Sequence, residues 1–433
     1  MTAAVHWIQQ APDRWTRGRL KNLIAKAANG TWGSDPAEDG SDVRCVRAAD
    51  FDRPRRRVRI DNAPLRRVDA SSLRQYLLRP GDLILEKSGG GEKQPVGMAV
   101  LFEGPEKSVC SNFCARLSPA AGVDPRFLTY VLAAAYGQGL TQSAIKQTTG
   151  IQNLDTGTFF SSLWAYPRQE EQCRIADFLD AETARIDGLV TRRREMTDLL
   201  ALKRERVVEL ALGLEHDSHA HDMAPLKYLV EGITVGIVIT PAKWYVESGG
   251  TPALRGLNVR PGVIEDSDLV RISDEGDAEN VKSRLRAGDV VVVRTGQAGA
   301  AAVVPPHLAG ANCIDLIVVR PGRSMAPRYL EYVLNSQYAQ AHVSEHAVGS
   351  IQAHFNIGSM KKIPVPSLPL ARQERIVKAL DERVAGLDAL KDKFQQQGQM
   401  LAERRQALIT AAVTGQFDVS TASGRNNTEG ISA

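Results

Sequence analysis

Residues 169–212 read QEEQCRIADFLDAETARIDGLVTRRREMTDLLALKRERVVELAL. The stretch has no proline and one glycine, Gly188, so nothing in it breaks a helix. Apolar residues recur in alternating steps of four and three at Ile175, Leu179, Ile186, Leu189, Met196, Leu200, Val207 and Leu210. Glu182, Arg193 and Lys203 interrupt the register. That spacing describes a coiled-coil seam, narrower than the stripe of a helix lying on a globular core. At 1.5 Å per residue the helix is about 66 Å long, and its seam needs a partner.

The partner lies further along the same chain. Residues 370–414, LARQERIVKALDERVAGLDALKDKFQQQGQMLAERRQALITAAVT, carry a seam of Ile376, Leu380, Leu387, Leu390, Phe394, Leu401, Leu408 and Ala411. A shift of 201 lays seam on seam and superimposes Arg174 on Arg375, Asp180 on Asp381 and Arg204 on Arg405. The repeat extends upstream. RPGDLILEKSG (79–89) matches RAGDVVVVRTG (286–296), and PRFLTYVL (125–132) matches PRYLEYVL (327–334). The chain is an internal duplication: globular unit, long helix, globular unit, long helix, tail.

Composition narrows the class. At 433 residues the chain has room for two globular domains, and no apolar run approaches the ~20 residues of a membrane span. The first residues, MTAAVHWIQQAPDRW, do not form a signal peptide. Five scattered cysteines (Cys45, Cys110, Cys114, Cys173, Cys313) fit reduced thiols and a cytoplasmic protein. Cys110 and Cys114 lack a second pair to complete a metal site, and His216, His219 and His221 read as a polar linker. The net charge of +4 is uneven: residues 1–168 hold 23 basic against 16 acidic side chains, residues 216–370 hold 14 against 15. The densest basic run is RPRRRVR (53–59), a solvated surface strip or a phosphate-contacting one.

Catalytic signatures are missing. There is no GxGxxG, HExxH or GxSxG, and the glycines at 89–91 lack the GK[ST] of a phosphate loop. No lysine follows an acid two residues earlier, as nuclease sites often require, and no Asn-Pro-Pro-aromatic segment can hold a flipped base. Polar residues gather instead in equivalent loops of the two repeats. In the first unit these are Lys87, Ser88, Lys93, Lys146, Thr149, Gln152 and Asn153; in the second they are Arg294, Thr295, Gln297, Ser350, Gln352, His354 and Asn356. Cations, hydroxyls and amides beside permissive glycines suit contacts with phosphates and base edges. No residue is a candidate catalyst or metal ligand.

Taken together, GTWGSDP (30–36), RPGDLILEKSG (79–89), PRFLTYVL (125–132), QEEQCRIADFLD (169–180), LARQERIVKALD (370–381) and RRQALITAAVTGQFDV (404–419) resemble the specificity subunit of type I restriction–modification enzymes. The resemblance covers nearly the whole chain. It implies an α+β fold: mixed target-recognition domains at 1–168 and 216–369, antiparallel coiled-coil spacer helices at 169–215 and 370–415, and a disordered tail at 416–433. It also implies a non-catalytic subunit that binds double-stranded DNA, with two methyltransferase subunits and two restriction/translocase subunits as partners. S-adenosylmethionine, ATP and Mg²⁺ would belong to those partners, and this chain would need no cofactor. A single-chain restriction enzyme or methyltransferase, and a DNA-binding regulator or coiled-coil scaffold, are the alternatives. Co-purification with a methyltransferase subunit separates them.

Two geometric expectations complete the reading. Helices paired with midpoints aligned set Arg193 near Phe394, Glu182 near Arg404, and Lys203 near Arg383, a like-charge contact that Glu382 or Glu205 would have to relieve. A stiff pair would act as a ruler between unrelated half-sites, so four residues inserted within 196–203 would change the spacing and not the bases read.

Overall fold

The computed structural model describes residues 6–37, 39–91, 94–148, 151–214, 221–347 and 355–421. The chain divides into two compact units, residues 1–194 with 396–433 and residues 195–395. Each unit takes one half of each long helix.

The first unit is built on β1 (Ile24–Asn29), β2 (Leu83–Glu86), β3 (Ala99–Leu101) and β4 (Cys114–Pro119), ordered β1-β4-β2-β3 and antiparallel throughout. Leu83, Ile84 and Leu85 are fully buried, as a central strand of consecutive apolar residues demands. Helix α1 (Pro125–Gly137) covers the sheet; Asp124 caps it by accepting from the Arg126 and Phe127 amides. Strand Thr16–Arg19 pairs with Leu163–Tyr166 and leads into α2 (Gln169–Leu212).

The second unit repeats the plan. Its strands β5 (Gly232–Val235), β6 (Val290–Val293), β7 (Ala301–Val303) and β8 (Leu316–Arg320) are ordered β5-β8-β6-β7. Helix α3 (Pro327–Leu334) stands where α1 does, and Met223–Pro225 pairs with Pro364–Pro366 ahead of α4 (Leu370–Val413). The repeated R-x-G-D turn explains itself. Gly81 and Gly288 have φ of 91° and 85°, open to glycine at no steric cost. Asp82 and Asp289 then accept from the amides of Arg79 and Arg286 at 2.7 and 2.8 Å.

The sheet of the first unit is longer. The RPRRRVR run folds into a hairpin, Phe51–Asp52 against Arg57–Val58, that joins the edge at β3. A further difference lies after α1 and α3. The first unit has the hairpin Ile145–Thr148/Ile151–Leu154, and the second has a helix, Gln337–Ala347.

Within the first unit, Ile175, Leu179 and Ile186 of α2 share a core with Leu408, Ile409, Ala412 and Val413 of α4. In the second unit, Val208 and Leu212 share a core with Leu380 and Val384. The expected seam residues Met196, Leu210 and Leu390 are exposed instead, at 40%, 51% and 40%. An α-helix drifts ~20° per heptad against a strict 3.5 repeat. Over the four heptads from Leu179 to Val208 the drift approaches the 100° between neighbours, so Val208 replaces Val207.

Pairing is antiparallel, but the midpoint register is wrong. Arg405 reaches Asp187 at 2.9 Å and Arg204 reaches Asp388 at 3.1 Å. Midpoint alignment would have set Asp187 against Gln399, six residues short. Glu182 bonds its own helix at Arg185, 3.6 Å away, and not the predicted Arg404. The two observed ion pairs are images of each other under the shift of 201. The duplicated domains set this register, because they fix which turns of the helices are covered.

The tail departs from expectation where it is described. Phe417 packs on Phe178 with ring centroids 5.5 Å apart, and its amide donates to the Ala411 carbonyl. Residues 422–433 lie outside the described residues. Among those described, no helix is long and apolar enough to cross a membrane.

Candidate nucleic-acid interface

In each unit the central strand, β2 or β6, ends in a cation and a hydroxyl: Lys87-Ser88 and Arg294-Thr295. In the first unit, Ser88–Gly89 becomes an edge strand of a small sheet with Ile151–Leu154 and Ile145–Thr148. Its register places Ser88 opposite Asn153 and Lys146 opposite Asn153 on the other side. Lys87, Ser88, Lys146, Gln152 and Asn153 therefore gather in one place.

Their side chains are differently committed. Ser88 Oγ donates to Asn153 Oδ1 at 2.7 Å, and Lys146 Nζ lies 2.7 Å from Asp155 while its side chain stays 75% exposed. Gln152 is buried and its Oε1 accepts from the Val96 amide, so it braces the loop. Lys93 and Thr149 lie outside the described residues.

Sequence reasoning passed over the neighbours of this sheet. A cavity of about 440 Å³ is lined by Trp32, Arg47, Glu86, Ser88, Asn112 and Phe113, among others. Trp32 and Phe113 are 37% and 50% exposed, an arrangement that offers stacking faces. Arg66 lies over the Trp32 ring at 4.6 Å. The available signal was Gly30-Thr31-Trp32: Gly30 has no room for a Cβ, which would fall 2.1 Å from the Cys110 carbonyl oxygen. This close approach fixes where the tryptophan emerges.

In the second unit, Arg294 and Thr295 converge on Asp315. Arg294 Nη1 donates to Asp315 Oδ1 at 2.6 Å, and Thr295 Oγ1 donates to Oδ2 at 3.1 Å. Gln297 is exposed on the following loop. Asn356 caps the helix Ile357–Met360, its side-chain oxygen accepting from the Ser359 amide. Ser350, Gln352 and His354 lie outside the described residues. Val238 and Ile239, which follow the counterpart of the Gly30 approach at Gly236, are 47% and 82% exposed.

The basic run 53–59 is not a free phosphate strip. Arg53 pairs with buried Glu86 at 3.2 Å, Arg57 with Glu103 at 2.7 Å, and Arg59 donates to the Phe51 carbonyl at 3.0 Å. Arg56 is buried at φ 55°, and burial, with the Arg405 charge beside it, pushes its pKa down to about 10. Arg55 is the most open of those with a stated exposure, at 75%, and Arg59 is exposed as well. Residues 53–56 form the turn of the hairpin and Arg57 its returning strand, so the fold carries Arg53 and Arg57 to acids on other segments. Burial pushes Glu86 upward, and the Arg53 charge opposes the shift.

The described residues contain no group of three or more His, Cys, Asp or Glu side chains arranged to hold a metal. Cys110 and Cys114 are buried thiols in the first unit, and burial pushes Cys114 up to about 12. A thiolate ligand is disfavoured there.

Below these loops, both units use one set of contacts to hold the long helices. Gln172 Oε1 accepts from the Asp124 amide and its Nε2 donates to the Pro167 carbonyl; Gln373 does the same with Ala326 and Leu368. Tyr130 and Arg126 meet Asp180, and Tyr332 and Arg328 meet Asp381. The glutamines are images under the shift of 201 that the sequence comparison had not singled out.

No family model matches the chain. Its curated relatives include the type I restriction enzyme StySPI specificity subunit of Salmonella potsdam, 26% identical over 178 residues. The EcoKI specificity subunit of Escherichia coli K12 is 27% identical over 182 residues. Each match covers 40% of this chain, and 37% and 38% of those relatives. A longer match, 20% identical, reaches the EcoBI specificity subunit of Escherichia coli over 64% of this chain and 63% of that one. The chain thus matches less than two thirds of these relatives' length.

Among solved structures, a chain from the work on complex assembly and conformational transition of the type I R-M system superimposes with a TM-score of 0.72. It is 18% identical and the match covers 94% of this chain and 99% of that one. The HsdS subunit from Thermoanaerobacter tengcongensis gives a TM-score of 0.54 at 18% identity, covering 94% and 98%. The fold is that of the specificity subunits of type I restriction–modification systems. In sequence, too, the chain resembles the type I restriction enzyme specificity subunits named above.

Proposed function

We propose that this chain is the DNA sequence-specificity subunit of a type I restriction–modification complex. Each unit is a target-recognition domain for one half of a split duplex target. The long helices are the spacer and the docking surface for two methyltransferase subunits, with two restriction/translocase subunits completing the assembly. Chemistry, together with S-adenosylmethionine, ATP and Mg²⁺, belongs to those partners; this chain supplies address and geometry.

One observation carries the reading. A duplicated frame, held by matching Gln, Tyr, Arg and Asp contacts, ends at the same strand in two unlike loops. A reader of two unrelated half-sites needs a constant mounting and variable tips. The test is reconstitution with a type I methyltransferase subunit from the same source. The expected outcome is a stable complex that methylates adenine in one bipartite sequence, with neither protein active alone. Methylation of a single contiguous palindrome, or none with the complex formed, would overturn the proposal.

A further inference from the structure

We propose that Arg294 reads a guanine in one half-site through a guanidinium that Asp315 holds in position. The inference rests on the specificity-subunit reading and names the base that one residue recognises.

Arg294 follows β6 directly, with its side chain 17% exposed. Its Nη1 donates to Asp315 Oδ1 at 2.6 Å and its Nε to the Phe355 carbonyl at 3.3 Å. Acceptors from two separate segments fix the plane of the guanidinium. The carboxylate is itself clamped, because Thr295 Oγ1 donates to its other oxygen. Asp315 adopts φ 51°, a left-handed conformation that side chains rarely take. Its amide donates to the Ile237 carbonyl at 3.0 Å, which holds it there. Such a conformation persists where surrounding structure over-determines it, and here it turns the carboxylate onto Arg294.

Among the described residues nothing else accepts from this guanidinium, which leaves Nη2 and the second Nη1 hydrogen for a ligand. Two parallel N–H groups match the N7 and O6 acceptors of guanine in the major groove, whereas adenine offers one acceptor and one donor. A phosphate also accepts a fork. The neighbouring surface favours the base: Val238 and Ile239, just after the Ile237 carbonyl that holds Asp315, are exposed apolar side chains. Apolar contact has a partner in the groove, in the thymine methyl, and none at a phosphate. A pinned fork also pays little ordering entropy on binding. Asp315 is a positioning residue in this scheme, and the equivalent Lys87 of the first unit has no fork.

The test uses the full chain co-expressed with its methyltransferase partner in cells lacking other adenine methylation, with methylated sites mapped genome-wide. Arg294→Lys keeps the charge and loses the fork. One guanine position in one half-site should lose about tenfold or more of its preference, the other half-site staying intact. Asp315→Asn, which tolerates the same backbone, should relax that same position less. Arg294→Gln should move the preference there towards adenine, and it serves if the lysine variant does not assemble. Unchanged preference at every position in these variants would overturn the inference. So would an equal fall in methylation at all sites, the mark of a phosphate contact. A wild-type complex that methylates no split target would instead defeat the specificity-subunit reading itself.

Discussion

Asp180 accepts the Tyr130 hydroxyl at 2.7 Å in the first unit, and Asp381 accepts the Tyr332 hydroxyl at 2.6 Å in the second. A few residues away the likeness stops. Where the first unit follows its strand with Lys87 and sets Ser88 in a cavity with exposed Trp32 and Phe113, the second sets Arg294 against Asp315. Contacts that hold a domain on its helix are fixed by buried polar groups that must all be satisfied, so duplication preserves them. Surface loops carry no such obligation. They are where two copies can acquire different addresses.

The strongest test of the shared mounting is Gln172→Ala against Gln373→Ala. Both side chains are buried, at 2% and 1%, and truncation strands a backbone amide and carbonyls away from water. At roughly 1–3 kcal/mol for each stranded group and two or more groups in each case, either change should cost about 2–6 kcal/mol in denaturant unfolding. Equal losses support one mounting used twice. A loss in only one variant would break the comparison at its base.

The next test separates sequence identity from context. Arg405–Asp187 and Arg204–Asp388 are the same pair under the repeat, yet their side chains are 12% and 25% exposed in one case and 40% and 46% in the other. Arg405 also donates to the Pro54 carbonyl, tying α4 to the arginine hairpin. Arg405→Ala should therefore cost about 2–3 kcal/mol, below the range of a fully buried pair. Arg204→Ala should cost about 1 kcal/mol or less. Similar values would mean that the hairpin adds nothing to the pair.

These pairs mark how far the sequence could be read. The duplication, the long helices, the strand-end turns and the docking residues of α1 and α3 all carry periodic or repeated signals. The helix register did not, because both seams allow several alignments and the domains select one. RPRRRVR was opaque for another reason: its counter-charges Glu86, Glu103 and Asp180 come from three separate places in the chain. Asp315 was invisible too. A single acid after Cys313 means nothing until the fold brings Arg294 to it.

The difference at the tips predicts a difference in kind. Lys87→Ala should weaken binding to all duplexes alike and lower the salt slope by about 1, with the target sequence unchanged. Arg294 substitutions should alter the sequence instead. A base-specific effect of Lys87→Ala would show that the units read with the same chemistry after all.

The smallest effect concerns the cysteines, and it probes the equivalence of the two frames. Cys110 ends a strand parallel to Val43–Val46, and Cys313 ends a strand parallel to Thr251–Leu254; Gly30 and Gly236 press against their backbones. Burial pushes the Cys110 thiol upward and Cys313 up to about 12, with Cys45 raised to about 11 and Cys114 to about 12 by the same cause. Cys173 alone is partly exposed; burial, then its hydrogen bond to the Asp124 carboxylate, raises it. Since the thiolate is the reactive form, a thiol reagent at neutral pH should add one group to the native chain, slowly, at Cys173. Raising the pH should accelerate that addition and leave the other four unmodified until denaturant exposes all five. Labelling of Cys313 but not Cys110 in the native chain would mean that the second frame opens locally where the first does not, and the two mountings would no longer be equivalent.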